Sequence, residues 1–328
     1  MKIEVNTHEK TMLRFAAEHP EVIVLSADLG TSCEVKKFRA TYPERYFTMG
    51  IAEQNMCSWA AGLTREGYRP FIHTFSVFLY RRMLDQLEMS VAYPNLPVVF
   101  LGFVPGITTP GGVSHQSIND VGVLRTVPNM AIFDVGDATE IEGVLQLAYD
   151  YNGPVFIRML RKEVPRLFPA DEPMRFNRAR VLSEGDDVLL LSSSICTEEA
   201  MRAAAALKAR GVSVQHMHVS TLKPFTDPTI VEALKKCKYG AVTIENHYVT
   251  GGLGSAVAEV IADNGIGKRL IRVGVPGYTH GASKMYLMKK YGIDALHLVA
   301  AVEELTGKQL NITETDLEEE RFVDFLEV

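Results

Sequence analysis

Short apolar runs alternate with longer amphipathic segments along the first half of the chain. The runs are VIVLSAD (22–28), RPFIHTF (69–75), PVVFLGF (97–103), NMAIFDV (129–135) and GPVFIRML (153–160). Between them lie helix-like segments such as FLYRRMLDQLEMSVAY and ATEIEGVLQLAYDY, which are apolar on one side. Because apolar runs without polar alternation suit strands covered on both faces, the pattern predicts an α/β domain built on a parallel sheet.

The pattern changes between residues 164 and 185, where VPRLFPADEPMRFNRARVLSEG is rich in Pro and Arg and follows neither period. Alternation then resumes with DVLLLSSS, VSVQHMHVS, YGAVTIEN and RLIRVGVPG, separated by helical segments such as EEAMRAAAALKARG. We therefore expect a first α/β domain over residues 1–164, a linker over 165–185 and a smaller α/β domain over 186–328.

The composition is that of an ordinary folded protein, with 47% hydrophobic residues, 23% charged residues and a net charge of −6. A negative chain without a clustered Lys/Arg stripe argues against nucleic acid as a partner. No apolar run approaches the roughly 20 residues of a membrane helix, and the start MKIEVNTHEK lacks the apolar core of a signal peptide. We expect a cytoplasmic protein with no membrane partner.

Self-contained cofactor and metal motifs are missing from the sequence. The stretch ENHYVTGGLGSAVAEV follows a predicted strand, but the third glycine of a G-x-G-x-x-G turn falls on Val257, so the dinucleotide fingerprint fails. Phosphate-loop, H-E-x-x-H and EF-hand patterns do not occur. The widely spaced cysteines form no CxxC pair, which predicts buried free thiols and no metal ligands at Cys33, Cys57, Cys196 and Cys237.

Residues 49–56 read MGIAEQNM and place Glu53 at the start of a helix that continues CSWAAGL. A carboxylate near a helix N-terminus interacts favourably with the macrodipole, which is one sufficient reason for an acid there. The apolar continuation nevertheless predicts burial, and a buried, unpaired carboxylate is costly. On the basis of that cost we interpret Glu53 as a functional residue.

Two further segments follow successive elements of the first domain. HTFSVFLYRRMLDQ holds Phe75 and Phe78, which on spacing alone are simplest as core residues. His115 follows the glycine-rich stretch PGITTPGGVSHQ and is either a ligand contact or a locally hydrogen-bonded histidine. Because loops at the strand ends of an open parallel sheet converge on one edge, we expect these residues to line one crevice.

These motifs resemble the C-terminal half of transketolase, in the form in which that enzyme is split into two polypeptides. GIAEQNM with a following AAGL, then TFSVFLYRRMLDQ, SHQSINDVGVLRTVPNM and GPVFIRMLRKEVP, occur in the family's order, and ENHYVTGGLGSAVAEV resembles its C-terminal domain. Deoxyxylulose phosphate synthase shares GIAEQ but is typically one long chain. The resemblance implies a thiamine diphosphate pyrimidine-binding domain followed by the smaller transketolase C-terminal domain.

The resemblance also implies a cofactor and a partner. The family binds thiamine diphosphate between its pyrimidine-binding domain and a diphosphate-binding domain whose motif is GDG followed by Asn. That motif is not present, EGDD at 184–187 being the nearest string. The implied partner is an N-terminal transketolase subunit that carries the motif and binds Mg²⁺ or Ca²⁺, in an α2β2 assembly. The implied reaction moves a two-carbon ketol unit from a ketose to an aldehyde acceptor.

Four residues acquire cofactor roles from the resemblance. Glu53 would hydrogen-bond N1′ of the aminopyrimidine and act as its acid/base partner, and apolar surroundings favour the protonated form that this role requires. Phe78 would pack on the pyrimidine ring, with Phe75 as a neighbouring wall. Asp28 in SADLG matches an acidic position close to the cofactor.

The substrate side shows both matches and departures. His115 matches a histidine that contacts substrate oxygens, and Arg161 and Ser32 match contacts to a sugar phosphate. His8 stands where the family has a phosphate-contacting arginine.

Two more positions depart from the family pattern. TPGGVSHQ replaces the family's GEDGPTHQ, so that Gly111 takes the place of an aspartate that reads a sugar hydroxyl, and Val104 takes the place of a histidine. We therefore expect an atypical sugar: branched, deoxy, sulfonated or phosphorylated.

Two other functions remain compatible with these residues. The β subunit of a 2-oxoacid dehydrogenase has a similar length, domain order and cofactor role, but it usually has small residues in place of Gln54 and lacks the SHQ…LRTVPNM run. A non-catalytic subunit that keeps the fold for assembly only is a different class. The retention of Glu53, Phe78 and His115 together argues against it. A third hypothesis, a nicotinamide oxidoreductase, is weakened because the dinucleotide-binding glycine pattern is incomplete.

Overall fold

The first α/β unit occupies the N-terminal half of the chain in a computed structural model that describes residues 2–318. Residues 319–328, the end of the predicted second domain, lie outside them. The strands are β1 (Lys2–Val5), β2 (Val22–Ser26), β3 (Tyr46–Thr48), β4 (Arg69–Phe75), β5 (Val99–Phe103), β6 (Ala131–Asp134), β7 (Val155–Met159) and β8 (Glu163–Arg166). The helices are α1 (Thr7–Glu18), α2 (Lys36–Thr41), α3 (Glu53–Arg65), α4 (Ser76–Arg82), α5 (Leu84–Gln86), α6 (Asp120–Leu124) and α7 (Ala138–Asp150).

The second α/β unit repeats the alternation on a smaller sheet. Its strands are β9 (Arg180–Ser183), β10 (Val188–Ser192), β11 (Val214–His218), β12 (Thr221–Lys223), β13 (Gly240–Tyr248) and β14 (Arg269–Val275). Its helices are α8 (Cys196–Ala209), α9 (Pro228–Lys236), α10 (Leu253–Asp263), α11 (Lys284–Tyr291), α12 (Ala295–Thr306) and α13 (Glu314–Glu318). Short 3-10 helices lie at Pro43–Arg45 and Gly112–Ser114.

The main sheet has seven strands in the order β12-β6-β7-β5-β4-β2-β3. The pairs from β6 to β3 are parallel, as in Val24 opposite Phe71 and Phe71 opposite Val99. All residues of β2, β5, β6 and β7 are buried, which is why these strands read as continuous apolar runs. The predicted parallel α/β class is confirmed.

The second sheet has five strands in the order β14-β13-β10-β11-β9. Its pairs are parallel except that β9 runs antiparallel to β11. Helices α8 and α12 pack on this sheet through a core that includes Leu207 and Leu298. The predicted smaller α/β domain is therefore present in the described residues.

The two units are joined by more than the chain connection. Strand β12 comes from the second half of the sequence but pairs antiparallel with β6 at the edge of the main sheet. Strand β8 pairs antiparallel with β1, whereas β9 belongs to the second sheet. The predicted linker, 165–185, thus contains strand residues. The sequence pattern did not indicate them, because strands of four residues with exposed positions show no clear period. The exact domain boundaries stay a prediction.

The helical segment predicted over residues 78–93 is divided into three pieces. Helix α4 ends at Arg82, α5 is a single turn, and a π-helix covers Leu87–Ala92. Breaks of this kind are frequent at functional sites. Phe78 lies in α4, the piece that precedes the first break.

The four cysteines are buried and free, as predicted. No helix in residues 2–318 has the length and apolar character needed to cross a bilayer.

Candidate active site

The predicted site residues come from loops at one edge of the main sheet. Asp28 and Ser32 follow β2, Glu53 follows β3 and Phe78 follows β4. A glycine-rich loop, residues 104–119, follows β5 and carries His115, and Arg161 follows β7. Since β2, β3, β4, β5 and β7 run parallel, their carboxyl ends meet at this edge, which is where ligands bind in open α/β sheets.

Glu53 is the first residue of α3 and is only 5% exposed. Its carboxylate accepts a hydrogen bond from Arg82 Nη1. The guanidinium of Arg82 lies 3.7 Å from the centre of the Phe78 ring, so it stacks on Phe78 while it pairs with Glu53. A planar group with N–H donors thus lies between an aromatic face and a buried carboxylate.

His115 contacts the same aromatic cluster. Its ring centre is 5.4 Å from that of Phe78 and 6.1 Å from that of Phe75, both in edge-to-face geometry. The two phenylalanine rings are 5.6 Å apart. Ser114 Oγ lies 2.8 Å from His115 Nδ1, which leaves Nε2 as the ring nitrogen available to a ligand. The structure therefore brings Glu53, Phe75, Phe78 and His115 into one cluster.

The predicted substrate contacts adjoin this cluster. Arg161 lies over Phe75 at 5.3 Å from the ring centre and donates from Nη1 to the backbone carbonyl of Ser32 at 2.9 Å. Asp28 is exposed, has a φ of 59°, and lines a shallow cavity together with Ser32 and Arg39. Positive φ values at residues other than glycine are concentrated at functional sites.

His8 is placed differently from the expectation. It is fully buried, its Nε2 lies 3.0 Å from His73 Nε2, and its ring packs edge-on against Phe103. Burial lowers the pKa of His8 well below the ordinary value for histidine. The structure thus puts His8 in the interior and not on the substrate side.

The two departures from the family pattern have clear structural settings. A Cβ atom on Gly111 would lie 2.8 Å from His115 Cβ, so the present loop conformation requires glycine at that position. Val104 is 2% exposed and has a φ of 52°, an uncommon conformation for a β-branched residue. The backbone thus leaves no room for a side chain at Gly111 and takes an unusual conformation at Val104.

A buried polar network fixes the start of helix α4, which carries Phe78. Arg158 on β7 is fully buried and forms ion pairs of 3.0 Å with Asp120 and with Asp134. Burial disfavours ionisation of Asp120, but the charges of Arg158 and His247 hold the pKa of its carboxyl below its usual range. Ser76, at the start of α4, also donates to Asp120, so the network fixes the helix that presents Phe78.

Apolar surface lies beside Glu53. Ile51 is 78% exposed, and Trp59, on the outer face of α3, is 49% exposed. Met89, in the π-helix that packs against α3, is 60% exposed, and Phe47 lies 6.5 Å from Trp59 between ring centres. Exposed apolar surface of this kind marks interaction sites.

Sequence reasoning missed three residues of this region: Arg82, Arg158 and Asn246. Arg82 lies four positions after Phe78 on one helix, a spacing that places the two side chains together, so the sequence held a usable signal. Arg158 sits inside an apolar run and its partners are distant in sequence, so no local pattern could indicate it. Within residues 2–318, no group of three or more His, Cys, Asp or Glu side chains is arranged to hold a metal ion.

Comparison with known proteins defines the class. Residues 5–166 match the family model described as the transketolase pyrimidine-binding domain, and residues 177–298 match the transketolase C-terminal domain. The chain belongs to the transketolase family and contains the pyrimidine-binding and C-terminal domains of that fold.

Separately encoded relatives make the position within the family more specific. The chain is 34% identical to a putative transketolase C-terminal section of Methanocaldococcus jannaschii, covering 92% of this chain and 95% of that protein. It is 35% identical to the 6-deoxy-6-sulfo-D-fructose transketolase subunit SqwH of Clostridium sp. (strain MSTE9), covering 93% and 94%. A solved split-gene transketolase, described as an inactive β4 tetramer, has a TM-score of 0.83 at 36% identity, covering 92% and 97%. The chain is thus similar to the C-terminal subunits of split transketolases.

Proposed function

We propose that this chain is the C-terminal subunit of a two-component, thiamine diphosphate-dependent transketolase. It transfers a two-carbon ketol unit from a ketose to an aldehyde acceptor. The observation that carries the proposal is the cluster of a buried carboxylate, two phenylalanines and a histidine at the carboxyl edge of the sheet in a member of this family. A planar aminopyrimidine ring fits such a cluster, because Phe78 offers an aromatic face beside the carboxylate of Glu53.

Thiamine diphosphate would supply the carbanion chemistry that breaks and forms the ketol carbon bond. Glu53 would hold and release a proton at N1′ of the pyrimidine, a task that its burial at 5% exposure protects from water. Phe78 and Phe75 would orient the ring, and Asp28 would lie close to the cofactor. His115 would contact substrate oxygens through Nε2.

The partner subunit completes the site. It would carry the GDG…Asn motif, the diphosphate contacts and Mg²⁺ or Ca²⁺, and it would cover the apolar surface around Trp59 in an α2β2 assembly. The related split-gene transketolase, an inactive β4 tetramer, supports the same division of labour, because an assembly of one kind of subunit is inactive there. We therefore expect the isolated chain to bind thiamine diphosphate weakly or not at all.

The substrate would be an atypical sugar. Arg161 and Ser32 retain the anion contacts, but Gly111 and Val104 remove two polar side chains that read common sugar phosphates. The relative named as a sulfofructose transketolase subunit supports testing a sulfonated ketose next to phosphorylated ones, since an arginine fork accepts both anions.

The deciding experiment reconstitutes this chain with its partner and measures ketol transfer from xylulose 5-phosphate, fructose 6-phosphate and 6-deoxy-6-sulfofructose. Glu53→Ala should lower turnover by about 10²- to 10⁴-fold, the usual effect of losing general acid/base assistance. Glu66→Ala, an exposed acid just after the same helix, is the matched control and should leave turnover unchanged. Near-normal turnover of Glu53→Ala refutes the assignment. Decarboxylation of a 2-oxoacid without ketol transfer would identify a dehydrogenase subunit instead.

A further inference from the structure

The glycine-rich loop that presents His115 belongs to the first unit, yet a side chain of the second unit holds its beginning. Asn246, on β13, is fully buried. Its Oδ1 accepts a hydrogen bond from the backbone N–H of Ile107 at 2.9 Å, and its Nδ2 donates to the backbone carbonyl of Pro105 at 3.1 Å. One amide side chain thus satisfies the Ile107 N–H and adds a hydrogen bond to the Pro105 carbonyl, which also accepts from the backbone N–H and the hydroxyl of Thr108.

The loop backbone is shaped to receive this side chain. Gly106, between the two bonded residues, has a φ of 57°, and a Cβ atom there would lie 2.1 Å from Asn246 Oδ1. Any larger residue would displace the asparagine. Gly106 and Asn246 are therefore a matched pair, in which a missing side chain on one unit makes room for a polar side chain of the other.

The far side of the loop is held in the same way. Gln116, next to His115, donates from Nε2 to the backbone carbonyls of Thr109 at 3.1 Å and His280 at 3.3 Å. Its Oε1 accepts a hydrogen bond from the hydroxyl of Thr279. His115 thus lies between two attachment points that both depend on the second unit.

Asn246 is itself fixed from behind. Its backbone carbonyl accepts a hydrogen bond from Nη2 of Arg158 at 2.9 Å, and Arg158 is locked by its ion pairs with Asp120 and Asp134. The position of β13 relative to the main sheet is therefore determined by buried, charge-assisted bonds. The loop is held between rigid elements of both units.

We propose that Asn246 is a positioning residue, through which the C-terminal domain holds the glycine-rich loop so that His115 faces the substrate. The inference rests on the proposed function of His115. The loop is closed by two backbone hydrogen bonds between Gly106 and Ser117, and Asn246 attaches this closed end to the second unit, so its bonds help define where the histidine lies. Because a shift of about 1 Å at a reacting group can cost about 100-fold in rate, losing such a restraint lowers the rate even though no catalytic group is removed.

The test uses the complex reconstituted with the partner. Asn246→Ala should lower kcat by about 10- to 100-fold while the affinity for thiamine diphosphate stays as in the wild type, because Glu53 and Phe78 are untouched. Thr243→Ala removes a buried side chain from the same strand that makes no hydrogen bond to the loop, and it should leave kcat unchanged. An equal loss of kcat in both variants, or a parallel loss of cofactor affinity, overturns the proposal.

A double-mutant cycle separates positioning from general destabilisation. If Asn246 acts through His115, then Asn246→Ala should cause no further loss of kcat in a His115→Ala background. Losses that multiply overturn the proposal. Thr279→Val, which removes only the hydroxyl bond to Gln116, is the milder second variant should Asn246→Ala fold poorly, and it should show the same non-additivity with a smaller loss.

Hydrogen exchange tests the proposal independently of the reaction. In Asn246→Ala the backbone N–H groups between residues 106 and 119 should exchange faster than in Thr243→Ala, with that of Ile107 most affected. Unchanged exchange in this segment overturns the positioning role. If the reconstituted wild type shows no ketol transfer, the proposed function fails, and the exchange measurement still decides whether Asn246 holds the loop.

Discussion

Arg82 occupies the place that the proposed function reserves for the cofactor ring, which makes it the most informative residue to change. Its guanidinium stacks on Phe78 and hydrogen-bonds to Glu53, the same two groups that would bind the aminopyrimidine. Both cannot use these groups at once, so Arg82 must move away when the cofactor binds. We therefore predict that Arg82→Met binds thiamine diphosphate more tightly than the wild type.

The size of the effect follows from the two contacts that are lost. The ion pair joins a carboxylate that is 5% exposed to a guanidinium that is 40% exposed, and pairs at the edge of water contribute about 0.2–1 kcal/mol. A guanidinium over a partly exposed ring adds about 0.5–1 kcal/mol. Their sum, about 0.7–2 kcal/mol, corresponds to about 3- to 30-fold in the dissociation constant.

Calorimetric titration of thiamine diphosphate into the reconstituted complex, at saturating Mg²⁺, measures the effect directly. The control is Arg81→Met, since the Arg81 guanidinium contacts Tyr80 at 2.7 Å and the carbonyl of Val113 at 3.2 Å but not Glu53. In the isolated chain, Arg82→Met should also lower the free energy of unfolding by about 0.7–2 kcal/mol, the combined contribution of the two lost contacts. Cofactor binding that is weaker than in Arg81→Met would show that Arg82 supports the cofactor, and would refute the reasoning.

Two further predictions concern the loop and the interior. Gly111→Asp, which restores the family's aspartate, should lower kcat by about 10-fold or more because its Cβ would lie 2.8 Å from His115 Cβ. The control is Val113→Asp, which adds the same charge at an exposed position of the same loop. Equal activities of the two variants would contradict the steric argument. Burial lowers the pKa of His73 to about 4, so below pH 6.5 the unfolded chain takes up a proton that the folded chain does not. The free energy of unfolding therefore decreases as the pH is lowered from 7 towards 4. Urea unfolding should therefore show the stability advantage of the wild type over His73→Asn shrinking by about 2 kcal/mol between pH 7 and pH 5, whereas a constant difference would exclude a neutral, buried His73.

Much of the fold follows from the sequence because its signals are local. Each of the five apolar runs of the first half contains a strand of the main sheet, since strands covered on both faces need uninterrupted apolar residues. The start of α3 at Glu53 follows from the same kind of pattern. The order of the motifs along the chain also indicates the resemblance to transketolase. These motifs share one site because a parallel sheet brings successive strand ends to one edge.

The way these pieces meet depends on long-range packing. His8 matches a substrate contact in the linear alignment, but packing against His73 and Phe103 places it in the interior. The bond between Ile107 and Asn246 joins residues 139 positions apart, and no local period records such a contact.

The α/β class, the family and the carboxylate at the head of an apolar helix could all be predicted from the amino-acid order, because each rests on residues that are neighbours along the chain. The contacts of Arg82 with Glu53, of Arg158 with its two aspartates and of Asn246 with Gly106 became visible only in the folded molecule. They depend on side chains from different helices, strands and loops that meet only in the packed fold, where distances of a few tenths of an ångström decide whether a polar group is satisfied.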